Sequence, residues 1–221
     1  MIGFSPHKPG SADEHDRERS VYDVTSLSEL MRRYSQGEED IFASLYAAMA
    51  PRLYRFCVRV AGGRQEADDL FQETFLRVHR ARATYLHGAN PLHWAFAIAR
   101  AVHLDRLRYR RRRPEDLASD GDAADDGALS AGESYNPEAE ARAGDLVQVV
   151  TRELGRMPEK NRTAYVLLRE EGLSVKEAAA VLGASPDAVK QRAHRAYEQL
   201  REAVSRAGWS EPDAEPELDA A

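Results

Sequence analysis

The sequence predicts an all-helical protein of two small helical domains joined by a flexible acidic linker, the C-terminal one containing a helix-turn-helix. Three observations carry this prediction. Apolar residues recur at helical spacing over two long stretches, strand-like alternation is never sustained, and the composition between the stretches turns abruptly acidic.

Residues 1–25 are polar, contain Pro6 and Pro9, and show no periodicity, which reads as a disordered N-terminal arm. Residues 26–113 are dense in apolar side chains, with breaks expected at Gly37, at Gly62-Gly63 and around Gly88-Ala89-Asn90-Pro91, giving about four helices. From Pro114 to Ala143 there are nine acidic residues against one basic and few large apolar side chains. Such a stretch cannot bury enough surface to offset its ordering entropy, so 114–139 reads as a linker. The second domain occupies 140–207, its leading helix entered at Asn136-Pro137, with asparagine as N-cap and proline in the first turn. Residues 208–221 form an acidic tail.

The formal net charge of -6 argues against a protein that coats nucleic acid indiscriminately, so DNA contact must come from locally concentrated cations. The single cysteine, Cys57, cannot form an internal disulfide and lies among apolar neighbours, as a buried thiol would. No apolar run approaches the roughly 18 residues a bilayer span needs. The first residues lack the features of a signal peptide, so a cytoplasmic protein with no membrane span is expected.

The helix-turn-helix is written in caps. Ser174 with Glu177 three residues on matches a capping box, and Ala178, Ala179, Val181 and Leu182 supply a short apolar helix that stops at Gly183. Ser185-Pro186 then opens a second helix in which Val189, Ala193, Ala196, Leu200 and Val204 share a buried face. Asp187, Lys190, Gln191, His194 and Arg195 fall opposite, donor-rich and near the N-terminus, as a helix reading a major groove requires. Arg192 and Arg201 lie off that centre and suit phosphates.

In the first block, 64–80 places Ala67, Leu70, Phe71, Thr74, Phe75 and Val78 on one side and Asp69, Gln72, Glu73 and Leu76 on another. A leucine in the middle of a polar face hints at a protein partner. The later helix ends in LDRLRYRRRR; residues 100–113 hold seven arginines and one aspartate, a local charge of +6 that reads as a phosphate-backbone site. The preceding loop, TYLHGANPLHW, carries aromatics and amides suited to unstacked bases, although Tyr85 and Trp94 also fit a core. These patterns leave open a plain helix-turn-helix regulator. They also leave a metal-dependent nucleic-acid enzyme, given His79, His87, His93 and His103 near Asp68 and Asp69, but no metal-ligand spacing such as HExxH joins them.

Asp68-Asp69-Leu70-Phe71-Gln72-Glu73-Thr74-Phe75, Trp94 with Ile98-Ala99-Arg100, Leu154 to Pro158, Glu171-Gly172-Leu173-Ser174 and Val189-Lys190-Gln191-Arg192, in this order, resemble the extracytoplasmic-function (ECF) sigma factors of bacterial RNA polymerase. The resemblance covers roughly 26–113 and 140–206. It implies that the first domain holds core polymerase and melts the minus-10 element, with Asp69, Gln72, Glu73 and Leu76 on the clamp helices of the largest subunit. It implies that the loop from Gly88 to Leu92 captures a flipped base, read by Asn90 and His93 beside Trp94, while Arg100, Arg106, Arg108, Arg110 and Arg111 hold phosphates. Asp187, Lys190, Gln191, Arg192, His194 and Arg195 would meet the minus-35 element. The implied partners are core polymerase and promoter DNA, an anti-sigma factor being left open; no catalytic residue, cofactor or metal is expected.

Overall fold

A computed structural model describes residues 26–61, 63–112 and 137–209, the side chains of 137–143 excepted. The predicted arm 1–25, Gly62, Arg113 with the linker as far as Asn136, and the tail beyond Trp209 lie outside the described residues. The described residues are mostly helical, with no strand among them.

Helix α1 (26–35) buries Leu27, Met31 and Tyr34, one face at helical spacing, and gives way to Gly37 at φ 99°. A 3-10 turn, Glu39–Ile41, leads into α2 (Phe42–Ala61), which buries Leu45, Met49, Leu53, Phe56, Cys57 and Val60. Helix α3 (Arg64–Ala81) packs on α2, and α4 (Pro91–Arg112) packs on both. Among the described residues the four expected helices are present, with breaks at Gly37, at Gly63 and before Pro91. Phe56 meets Phe96 at 4.8 Å between ring centroids, pinning α2 to α4. Burial pushes the Cys57 thiol up to about 12, leaving it without thiolate reactivity.

The second block holds α5 (Pro137–Arg156), α6 (Glu159–Tyr165), α7 (Val175–Leu182) and α8 (Pro186–Arg206). Helix α5 starts at Pro137, as the sequence predicts. One π turn, Val166–Glu170, prolongs α6. On α8 the buried face ends at Ala203, whereas the sequence pattern assigns Val204, which is half-buried. Four helical turns take about 14.4 residues, so Ala203, fourteen residues beyond Val189, stays nearer the face's centre. No helix among the described residues is long and apolar enough to cross a membrane.

The two blocks are packed together. One contiguous buried cluster runs from Leu27 through Phe96 and Val102 into Leu167, Leu173, Ala178, Leu182 and Val189, with α7 against α4 and α5 and α6 against α2. At the seam His103 is 6% exposed, and burial first, then the charges of Arg162, Arg110 and Arg106, push it down to about 4.

Two expectations concern stability. An unfolded chain protonates His103 near 6.5 and the folded one near 4, so the site's contribution is complete above 6.5 and falls as pH drops towards 4. Urea titrations across that window should show the decline, and His103→Leu should remove up to about 3 kcal/mol of it. Separately, Ser174→Ala should cost about 1 kcal/mol through the lost N-cap, read as a lower urea midpoint at unchanged slope.

Candidate nucleic-acid and protein interfaces

The α3 face follows from the pitch of one helix. With Ala67, Leu70, Thr74 and Val78 buried, Asp69, Gln72 and Leu76 are exposed on the far side, Leu76 at 50%. Glu73 is half-buried and accepts from Arg77 Nε at 3.1 Å, while Arg77 also reaches Asp105 at 3.1 Å. Beside Leu76 opens a groove of about 530 Å3 lined by Tyr34, Phe42, Tyr46, Phe71 and Phe75 among others. Tyr46, 40% exposed, lies 4.7 Å from the Phe75 ring centroid. The sequence reading finds the α3 half of this surface and misses the Tyr34, Phe42 and Tyr46 half. An aromatic pair four residues apart at the start of α2 is the signal for it.

The loop before α4 is tightly built. Tyr85 is buried and its hydroxyl donates to the Ala89 carbonyl, with its ring edge-on to Trp94 at 5.4 Å. Tyr85 is therefore a core aromatic, and Trp94 is half-buried against the same core. Asn90 Oδ1 accepts from the backbone N–H of Leu92 (2.9 Å) and of His93 (3.4 Å), capping α4. Its amide nitrogen is the group that can meet a base. His93 and Arg100 stand two turns apart on one face of α4.

The arginines of α4 divide by partner. Arg106 donates to the backbone carbonyls of Asp69 (2.8 Å) and Glu66 (3.4 Å), which ties α4 to α3. Two of its five N–H donors thus serve the α3 backbone, a structural role the sequence does not announce. Arg108 and Arg110 are exposed in ion pairs with Asp105 (2.9 Å) and Glu66 (3.2 Å), and Arg111 and Arg112 are exposed at the helix end. Surface pairs of this kind contribute little and exchange readily for phosphate.

The helix-turn-helix has the predicted caps. Ser174 accepts from Glu177 N–H while the Glu177 carboxylate accepts from Ser174 N–H at 2.8 Å, Gly183 is left-handed at φ 56° and ψ 44°, and Ser185 Oγ accepts from Ala188 N–H at 3.2 Å. Asp187, Gln191, His194 and Arg195 are exposed together on the first turns of α8, with Lys190 and Arg192 half-buried beside them.

The seam between the blocks lies outside the sequence expectations. On α2, Arg52 and Arg55 share the carboxylate of Glu171, whose side chain is fully buried, at 3.0 and 3.3 Å; Arg52 also donates to the Glu171 carbonyl at 2.8 Å. Arg59 meets Glu170 at 2.9 Å and Thr151 Oγ1 at 3.1 Å. On α4, Arg100 Nε lies 3.5 Å from Glu159 and His93 Nδ1 lies 3.8 Å from Glu177. Burial lowers the His93 pKa, opposed by Glu177 and reinforced by the charge of Arg52. The signal was available: arginines at spacings of three and four on α2, and two adjacent glutamates closing an apolar helix.

Comparison with known proteins agrees with the two blocks. Residues 45–113 match the family described as Sigma-70 region 2, and residues 148–200 match Sigma-70, region 4. The RNA polymerase sigma factor CarQ of Myxococcus xanthus is 36% identical over 177 residues, covering 78% of this chain and 94% of that protein. The ECF RNA polymerase sigma factor SigW of Bacillus subtilis is 26% identical over 180 residues, covering 79% and 95%. In fold the chain is similar to the sigma factor RpoE of Bartonella quintana, solved with the anti-sigma factor NepR, at TM-score 0.59 and 24% identity over 74% of this chain and 96% of that one. An exposed α3 face, a basic α4, a capped helix-turn-helix and relatives matched over nearly their whole length lead to one conclusion: the chain belongs to the ECF sigma factors, which initiate transcription by promoter recognition.

Proposed function

We propose that residues 26–113 act as the unit that docks on core RNA polymerase and engages the minus-10 element, and residues 140–207 as the unit that reads the minus-35 element. The observation that carries this reading is a solvent-facing Leu76, flanked by Asp69, Gln72 and Glu73 and by an aromatic groove. A half-exposed leucine beside an apolar groove is the core of an interface with its polar rim. The clamp helices of the largest polymerase subunit are its partner.

In this reading the α8 face carries sequence selectivity for duplex DNA through Asp187, Gln191, His194 and Arg195, with Lys190 and Arg192 beside it. Asn90, His93 and Trp94 form the base-capture site, and Arg100, Arg108, Arg110 and Arg111 hold the adjacent phosphates. Binding to the unstacked strand offsets the few kcal/mol that unstacking a base step costs. The two readers are tethered, so docking of one raises the effective concentration of the other at its own element. No bond chemistry belongs to this chain, and it works in the cytoplasm, where polymerase and promoter are.

Two experiments test the assignment. Glu73→Arg with Leu76→Asp should abolish co-purification with core polymerase while leaving the helical circular dichroism unchanged; retained binding would sink the α3 assignment. Lys190→Ala and Arg195→Ala should each lower run-off transcription from a promoter with an intact minus-35 element about tenfold, the order expected for one lost base contact. The same variants should have little effect where that element is scrambled, and equal losses on both templates would count against base reading.

A further inference from the structure

The cations on the first block's side of the seam form a band. Arg52, Arg55 and Arg59 lie on one face of α2, spanning about 10 Å of helix at 1.5 Å per residue. Arg52 pairs with Glu171, His93 approaches Glu177 and shares its α4 face with Arg100, which approaches Glu159, so the second block covers both the band and the surface assigned above to the minus-10 strand. Along it the second block supplies the carboxylates of Glu171, Glu170 and Glu159 to arginines, with the Glu171 carbonyl and the Thr151 hydroxyl beside them, and Glu177 lies 3.8 Å from His93 Nδ1.

Guanidinium groups bind carboxylate and phosphate through the same fork of parallel donors, and arginine is the residue suited to both. A row of half-buried arginines held by carboxylates therefore presents the kind of donors a phosphate backbone needs. We propose that Arg52, Arg55 and Arg59 form a phosphate-binding band for the single strand of opened promoter DNA, and that Glu170 and Glu171 occupy it as a built-in substitute ligand until the two blocks separate. The inference rests on the minus-10 reading of α4 only for which nucleic acid arrives, since the band is defined by α2.

Three observations favour a substitute ligand over ordinary packing. The seam is imperfectly satisfied: on α4, His103 Nε2 and Arg100 Nε, the latter 3.5 Å from Glu159, are buried without a hydrogen-bond partner in the protein, a burden a permanent core seldom carries. Glu170 is held uncomfortably, burial raising its carboxyl above the usual range against the pull of Arg59. Coverage is also selective. The α3 face around Leu76 and the α8 face around Gln191 stay exposed, while His93 and Arg100 are covered. Polymerase docking and duplex reading can thus begin with the seam closed, and only strand capture waits for it to open.

The test measures binding of the full chain to a fluorescein-labelled oligothymidylate 15-mer by anisotropy. Glu170→Gln with Glu171→Gln should bind at least tenfold tighter than the parent, and adding Arg52→Ala with Arg59→Ala should reverse at least fivefold of that gain. Parental affinity in a glutamine variant whose circular dichroism matches the parent overturns the proposal. So does tight binding that ignores the loss of Arg52 and Arg59. Should the double variant fail to fold, Glu170→Gln alone, at the partly exposed pair, should tighten binding about threefold, and no change there overturns the proposal equally. Arg100→Ala in the glutamine background reports separately on the minus-10 reading. If it changes nothing while Arg52→Ala with Arg59→Ala still weakens binding, that reading fails and the band stands.

Discussion

Glu171 has its side chain fully buried between Arg52 and Arg55, and much of how the two blocks meet is the geometry that satisfies it. An unpaired carboxylate at that depth would cost several kcal/mol, so α2 must lie where its arginines reach. The π turn Val166–Glu170 serves this end. The Glu171 N–H bonds the Val166 carbonyl and the Leu173 N–H bonds the Leu167 carbonyl, closing the widened helix end and presenting two consecutive glutamates to one row of arginines. Gly172 at φ 69° then turns the chain sharply enough for Ser174 to cap α7, and α7 packs on α4. The seam and the helix-turn-helix are thus consecutive products of a few residues.

Legibility in the sequence tracked how local each interaction was. Caps and breaks were readable because a serine, a glycine and a glutamate at fixed offsets satisfy backbone groups within one turn: Ser174 with Glu177, Gly183 and Ser185-Pro186 all took their predicted roles. Burial on α3 was readable for the same reason, since helical pitch alone separates Leu70 and Thr74 from Leu76. What escaped was long-range. Arg106 reads as one more cation in a basic run, yet it also bonds carbonyls of α3 some forty residues away. The pairing of α2 arginines with Glu170 and Glu171 spans more than a hundred residues of chain, a separation at which spacing within one helix says nothing about its partner.

The first block shows how one small helical unit supports two surfaces that must not interfere. Leu76 and its groove sit where α1, α2 and α3 meet, whereas the loop before α4 is braced by Tyr85 and Trp94. Arg106 fastens α4 to the back of α3, so a shift at either surface is resisted by hydrogen bonds to main-chain carbonyls of the neighbouring helix. That rigidity suits a subunit whose contacts must be held in register.

The row of ion pairs has a consequence for how binding responds to ionic strength. Added salt weakens attraction between arginine and phosphate, and the number of counterions a nucleic acid releases is ordinarily read from the slope of that loss. In this chain the same salt also weakens the arginine–glutamate contacts that hold the band closed, to a smaller degree because Glu171 is fully buried and Glu170 largely so, and this works in favour of the complex. The two responses oppose each other, so the slope measured for the intact chain understates how many phosphates it neutralises.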